Sequence, residues 1–180
     1  MADMLLDRND CVLVVIDIQE KLLPVMWEKE RVVDNSLRLA KFASVIDLPV
    51  VVTEQDKLGP TIEPLREALA EYDPIAKISF DCFGCEPFAE RIAEMGRHTL
   101  LLCGIEAHIC VAQTALTGLD EHEVHLISDA ASSRVEHNWR IAQRRLDGAG
   151  ATITSTEMVI YELLRAAGTD EFRATLPLVK

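Results

Sequence analysis

The chain has 180 residues, of which 49% are hydrophobic and 27% charged, and a formal net charge of −12. That length suits one compact domain, residues 1–180, of ordinary soluble composition. The acidity argues against a nucleic-acid partner, whose phosphates require a basic footprint, and no apolar run is long enough to expect a membrane span.

In chain order, MADMLLDRND carries acidic residues where a signal peptide would be basic and then apolar, so the cytoplasm is the expected compartment. CVLVVIDI (11–18) is a dense β-branched run with little alternation, the mark of a strand buried on both faces. QEKLLPVMW leaves the sheet, and DNSLRLAKFASVID (34–47) has helical period with Asp34 placed to cap it. LPVVVT (48–53) is a second buried strand and EQDKLGP a loop. A helix is predicted over 61–71 with Thr61 as its cap, then a short extended piece over 74–78.

EPFAERIAEMG (86–96) is a helix with Pro87 in its first turn and Gly96 at its stop. HTLLLCGI (98–105) is a strand, ICVAQTALTGLDE a helix, EVHLISDA (123–130) a strand, and HNWRIAQRRLDGAG an amphipathic helix. ATITST (151–156) and EMVIYELLRAAG close the alternation, and the last dozen residues are expected to pack on the surface. Strands alternating with helices imply an α/β three-layer sandwich. Its doubly wound parallel sheet would have about six strands, with helices on both faces.

In such a sheet, ligands bind beyond the carboxyl ends of the strands, near the reversal of strand order. Asp17 follows the first strand, Lys77 the short third and Gly104–Cys110 the fourth. Singly each has a plain reading: Asp17 caps strand-end amides, Lys77 is solvated and Cys110 is core. Together, on one rim, they outline a nucleophilic cysteine site. A helix N-terminus and a lysine would favour the thiolate, a carboxylate could take the thiol proton, and turn amides could face an oxyanion.

These residues resemble the isochorismatase-like cysteine hydrolases, the superfamily that includes nicotinamidases and N-carbamoylsarcosine amidohydrolases. The resemblance covers nearly the whole chain. It rests on VLVVIDIQEKLLP, on Lys77 and Phe80 spaced as K-x-x-F, on LLCGIEAHICVAQTAL, on HLISDAASSR and on TSTEMVIYELL. It implies Cys110 as nucleophile, Asp17 as general base, Lys77 as assisting lysine, and a cis peptide at Ile105–Glu106 that turns local amides towards the substrate oxygen. It also implies a homo-oligomer acting on a small-molecule substrate. Nicotinamidases carry an aspartate and two histidines after the second strand, which bind a metal. Here that stretch reads VVTEQDKLGPT with no histidine, so neither a metal nor another cofactor is expected. The cysteine, absent from true isochorismatases, points to a carbon–nitrogen bond. Glu54, Gln55, Phe80 and Phe83 are expected to shape the pocket.

CFGC (82–85) is the rival signal, since a C-x-x-C before a helix suits a redox pair or half of a zinc site. The order of elements does not suit a thioredoxin fold, and no second pair completes a zinc site. The five cysteines, an odd number, argue against a full disulfide framework. His108, two residues before Cys110, does not share a helix face with it and reads as a pocket wall or surface residue.

Overall fold

The structure, a computed structural model, describes residues 5–180. Residues 1–4, part of the expected 1–180 domain and of the N-terminal stretch read for a leader, lie outside the described residues. The first strand, β1 (Cys11–Ile16), is buried at every position. Cys11, Leu13 and Val15 enter one core, and Val12, Val14 and Ile16 the other. This two-sided burial is why the run shows no apolar–polar alternation.

β2 (Val50–Gln55), β3 (Ile75–Lys77), β4 (Thr99–Ile105), β5 (Glu123–Ser132) and β6 (Thr152–Thr154) complete a six-stranded sheet ordered β3-β2-β1-β4-β5-β6. Every pair in it is parallel. One face is covered by α1 (Lys29–Val45), α2 (Glu63–Ala68), α6 (Thr156–Leu164) and α7 (Asp170–Val179), the other by α3 (Glu86–Met95), α4 (Ala112–Gly118) and α5 (Glu136–Ala149). The three-layer α/β expectation is met. Chain order reverses between β1 and β4, which places the ligand crevice of a doubly wound sheet beside the ends of those strands.

Three local expectations are corrected. Asp34 caps nothing: α1 begins at Lys29, after Glu28 in the left-handed region (φ 48°), and Asp34 is exposed within the helix. Tertiary contacts fix that start, because the Trp27 N–H donates to Ser133 O and Arg31 reaches β5. Thr61 is likewise not a cap. α2 is only six residues long, and Thr61 instead bridges Gln19 and donates to Glu54. The last residues form α7, capped by Thr169, with Thr175 buried and Phe172 and Leu178 packed on the core.

The sheet has one large irregularity. Leu102 pairs with Leu126, but Gly104 pairs with Ala131, so β5 bulges between them. Arg31 supports the bulge by donating to Ser128 O (3.1 Å) and Ala131 O (3.3 Å), with its guanidinium 5.3 Å from the Trp27 ring centre and 5.1 Å from that of Trp139. Asn35 donates to Asp129 O. Arg31→Ala removes the side-chain donor to Ala131 O and one of the two to Ser128 O, which keeps Trp139 Nε1, and is expected to cost about 1–3 kcal/mol. Arg31→Lys should restore less than half, because an ammonium lacks the planar fork. Urea unfolding midpoints of the two variants check this.

Candidate active site

The site is assembled at the ends of four neighbouring strands. Asp17 leaves β1 in the left-handed region (φ 53°), which aspartate tolerates better than most residues, and its carboxylate is fully buried. Its Oδ2 accepts from Lys77 Nζ at 2.7 Å, and its Oδ1 accepts from the Thr53 hydroxyl at 2.8 Å. The Asp17–Lys77 ion pair has no solvent-exposed side-chain surface. Lys77 Nζ also donates to Gln55 Oε1 (2.8 Å) and Ser79 O (3.2 Å), and Phe80 O lies 3.5 Å away. An ammonium has three N–H donors, so these close partners occupy all of them. Burial pulls the Lys77 pKa down, but the charge of Asp17, reinforced by hydrogen bonding, raises it overall, and the lysine stays charged.

Gly104 brings β4 against β1. Its φ of +129° is open to glycine alone, and a Cβ there would lie 2.0 Å from Ile16 O. This contact sets the following turn beside Asp17. The Ile105–Glu106 peptide is cis. Ala107–Val111 then form a single π-helical turn that leads into α4, and Cys110 lies within it, 5% exposed. The structure thus brings Asp17, Lys77 and Cys110 together.

The expected thiolate is corrected. Burial, then the negative charge of Asp17, pushes the Cys110 thiol up to about 12 despite Lys77, and a hydrogen bond with Asp17 pushes the same way. Burial and the charge of Asp17 thus favour the thiol over the thiolate in the resting site. The sequence showed a helix start and a lysine, but it could not show that the thiol is nearly closed off from water.

Four buried thiols, Cys11, Cys82, Cys103 and Cys110, are each raised from 9.0 to about 12, chiefly by burial. An unfolded chain releases these protons near pH 9 and the folded chain only near 12. Their contribution to stability is therefore whole below about pH 9 and is lost as pH rises towards 12. The loss approaches about 1.4 kcal/mol per pH unit for each thiol. Urea titrations from pH 7 to 10.5 under reducing conditions are expected to show a falling midpoint that four Cys→Ala exchanges flatten.

The other expected site residues divide. Gln55 reaches Lys77, and its Nε2 donates to Ile78 O. Glu54 points elsewhere: its Oε1 accepts from the Thr61 amide and hydroxyl and from Tyr72. Phe83 lies against the core cluster that includes Cys110. Its ring packs edge-on against Phe88 and stacks on His122. Phe80 is 54% exposed. Ile105 ends β4 in the core, and Glu106 Oε2 accepts from Arg134 N and Nε. His108 contacts Ser133 and Asn138.

The cysteines of CFGC are both free and face different partners. Cys82 Sγ lies 3.9 Å from Thr53 Oγ1, and Cys85 Sγ 3.7 Å from Ala76 O. Among the described residues, no group of three or more His, Cys, Asp or Glu is placed to hold a metal. A cavity of about 1100 Å³, lined by Asp10, Thr99, Glu123 and Thr152 among others, opens at the amino ends of the strands, away from this site. No helix of the described residues is long and apolar enough to cross a membrane.

Sequence reading did not assign roles to Thr53, Gln19 or the Trp27–Arg31–Trp139 cluster. For Thr53 the signal was present: it and Gln55 are polar residues at alternate positions at the end of a buried strand.

Comparison with known proteins gives a consistent result. A model of the isochorismatase domain matches residues 11–158. The secreted isochorismatase effector Isc1 of Phytophthora sojae is 35% identical over 96% of this chain and 85% of its own. The MAR1 ribonuclease of Caenorhabditis elegans superposes with a TM-score of 0.90 at 32% identity, covering 97% of this chain and 91% of that one. YcaC gives similar scores from two sources. The Pseudomonas aeruginosa protein, solved with hexane-2,5-diol and covalent acrylamide, has a TM-score of 0.91 at 26% identity over 99% of this chain and 93% of that one. The Escherichia coli protein, described as an octameric hydrolase of unknown specificity, has 0.92 at 25% over 99% and 90%.

Proposed function

The chain belongs to the isochorismatase family, and on that premise we propose that it is a cysteine-dependent hydrolase. It cleaves a carbon–nitrogen bond of a small amide or ureido compound. Family membership supports hydrolase chemistry as such. The observation that carries the finer reading is the Cys110 thiol facing Asp17, whose carboxylate is held at 2.7 Å by Lys77 out of water.

Asp17 is the general base. With the thiol pushed up to about 12, free thiolate is scarce at neutral pH, so proton transfer to Asp17 accompanies attack of sulfur on the carbonyl carbon. The negative charge moves from carboxylate to carbonyl oxygen, where amides of the 105–110 turn, that of Cys110 among them, receive it. Asp17 then returns the proton to the leaving nitrogen as the C–N bond breaks, leaving a thioester. Water, deprotonated by Asp17, hydrolyses the thioester and the thiol is restored. Lys77, its donors engaged, holds the Asp17 carboxylate at 2.7 Å and offsets its charge near the developing oxyanion. No metal or cofactor enters this scheme.

A phosphodiester substrate is not proposed, because the net charge of −12 repels polyanions. We take residues 1–180 as one hydrolase domain, supported by the single sheet with a core on each face. The octameric YcaC relative supports a homo-oligomer, and the five free cysteines support the cytoplasm. The test is a panel of small primary amides and ureido compounds, followed by ammonia release and intact mass. Turnover with a transient acyl adduct on Cys110 is expected. Ammonia release without any Cys110 adduct under rapid quench would overturn the thioester route.

A further inference from the structure

Resting on that reading of the site, we infer that Thr53 and Gln55 of β2 are its positioning residues. Thr53 sets the orientation of the Asp17 carboxylate, and Gln55 sets the place of the Lys77 ammonium. They are two apart on one strand and so project to the same side, while Glu54 between them projects to the other. β2 lies between β1, which ends at Asp17, and β3, which ends at Lys77, and the register pairs Thr53 with Ile16 and Gln55 with Lys77. One strand therefore presents one holding group to each member of the ion pair.

The hydrogen-bond directions are determined. An ionised carboxylate only accepts, so the single Thr53 O–H points at Asp17 Oδ1 (2.8 Å), and Thr53 Oγ1 is left to accept from the Cys82 thiol at 3.9 Å. With Oδ1 engaged and Oδ2 on Lys77, rotation of the carboxylate is blocked, and the lone pairs left over serve Cys110. Gln55 Nε2 donates to Ile78 O (2.7 Å), which leaves Oε1 as the acceptor for Lys77 (2.8 Å). Gln55 is itself clamped. Its N–H donates to Gln19 Oε1 (2.8 Å), and Gln19 Nε2 donates to Gln55 O (2.9 Å) and Gly59 O (2.6 Å). The chain Gln19–Gln55–Lys77–Asp17–Thr53 is thus closed, with every polar side-chain atom of both glutamines engaged. The charged and titratable groups that face Asp17 are Lys77, Cys82 and Cys110.

The test follows covalent addition of acrylamide to Cys110 against pH. Sulfur bonds to the terminal alkene carbon, the C=C π bond breaks, and the thiol proton, taken by Asp17, is matched by one delivered to the other alkene carbon. Rates are read by peptide mass spectrometry from pH 5 to 9. Thr53→Val keeps the shape but removes the hydrogen bond that favours the ionised carboxylate. Its rate at pH 7 is expected to fall by about tenfold or more, and the acidic limb of its profile to move up by about half a pH unit or more. Thr53→Ser restores the hydroxyl and is expected to return both to within about threefold and a few tenths of a unit of the parent. Gln55→Leu, on the half-buried partner, is expected to slow addition by about tenfold while Cys110 remains the labelled residue. A Thr53→Val profile that overlays the parent, or a Thr53→Ser profile as displaced as that of Thr53→Val, overturns the inference while leaving Cys110 as nucleophile. If Thr53→Val does not fold, an unchanged rate in Gln55→Leu overturns it. No addition to Cys110 in the unmodified chain removes the hydrolase reading and this inference together.

Discussion

Cys110→Ala is expected to lower amide turnover by about 10⁴-fold or more and to abolish the acyl adduct, with the fold intact. The size of the loss follows from the scheme. In the proposed scheme sulfur is the protein atom that bonds to carbon, and without it no acyl intermediate forms for Asp17 to resolve. The small change in volume at a side chain that is 5% exposed should cost about 1 kcal/mol, so loss of activity is separable from loss of structure. Cys110→Ser is nearly as informative. A hydroxyl is harder to deprotonate than a thiol, and Asp17 as base has to take its proton during attack, so a residual rate far below the parent is expected. Cys85→Ser should retain activity, because that thiol faces Ala76 O and not the ion pair. Steady-state ammonia release, intact mass and a urea midpoint on the three proteins check the set. A Cys110→Ala protein that retains turnover, with an adduct on Cys82 or Cys85, would falsify the assignment.

Gly104→Ala is expected to be the most destabilising single exchange in the chain, at more than about 4 kcal/mol. The added Cβ would lie 2.0 Å from Ile16 O and 2.8 Å from Ile16 C and N, all backbone atoms of the central strand. No side chain can rotate away to relieve this contact, and the φ of +129° disfavours any side chain independently. β4 would have to part from β1 where the site is built. Gly148→Ala is the control: nothing lies within 4 Å of its Cβ, and it sits inside α5, so a neutral or slightly stabilising change is expected. Urea midpoints of the two variants should separate by several molar-scale increments or show Gly104→Ala unfolded from the outset. Equal midpoints would mean that β1 and β4 do not approach as described.

The strand ends were legible because a parallel sheet buries both faces, leaving continuous apolar runs such as CVLVVI, which stops at Asp17, and TLLLCGI, which stops before Glu106. The rule that ligands gather at those ends then placed the three chemical residues on one rim. Helix starts were less legible where tertiary contacts decide them. α1 begins at Lys29 because Trp27 and Arg31 are tied to β5, contacts more than ninety residues away that no local cap announces. The directions of Phe83 and Glu54 are not legible in the sequence: the 3₁₀ turn at Cys82–Gly84 and the alternation of β2 give them Phe88, His122 and Thr61 as partners. The protonation state of Cys110 was beyond sequence altogether, since it depends on how much water the folded rim admits. The same limit hid the roles of Thr53 and Gln55, whose meaning lies in what stands across the strand.

The order β3-β2-β1-β4 also has a consequence in time. The chain supplies the three side chains of the proposed site at positions 17, 77 and 110, and each strand pair that unites them is closed only after a long crossover. Contacts so distant in sequence form late in folding, after local helices. A chain in which β4 has not yet docked on β1 is therefore expected to leave Cys110 open to water, with Asp17 not yet beside it. Docking of β4 on β1 both sets Cys110 beside Asp17 and closes it off from water, so labelling of this one sulfur during refolding is expected to act as a clock for assembly of the sheet's centre.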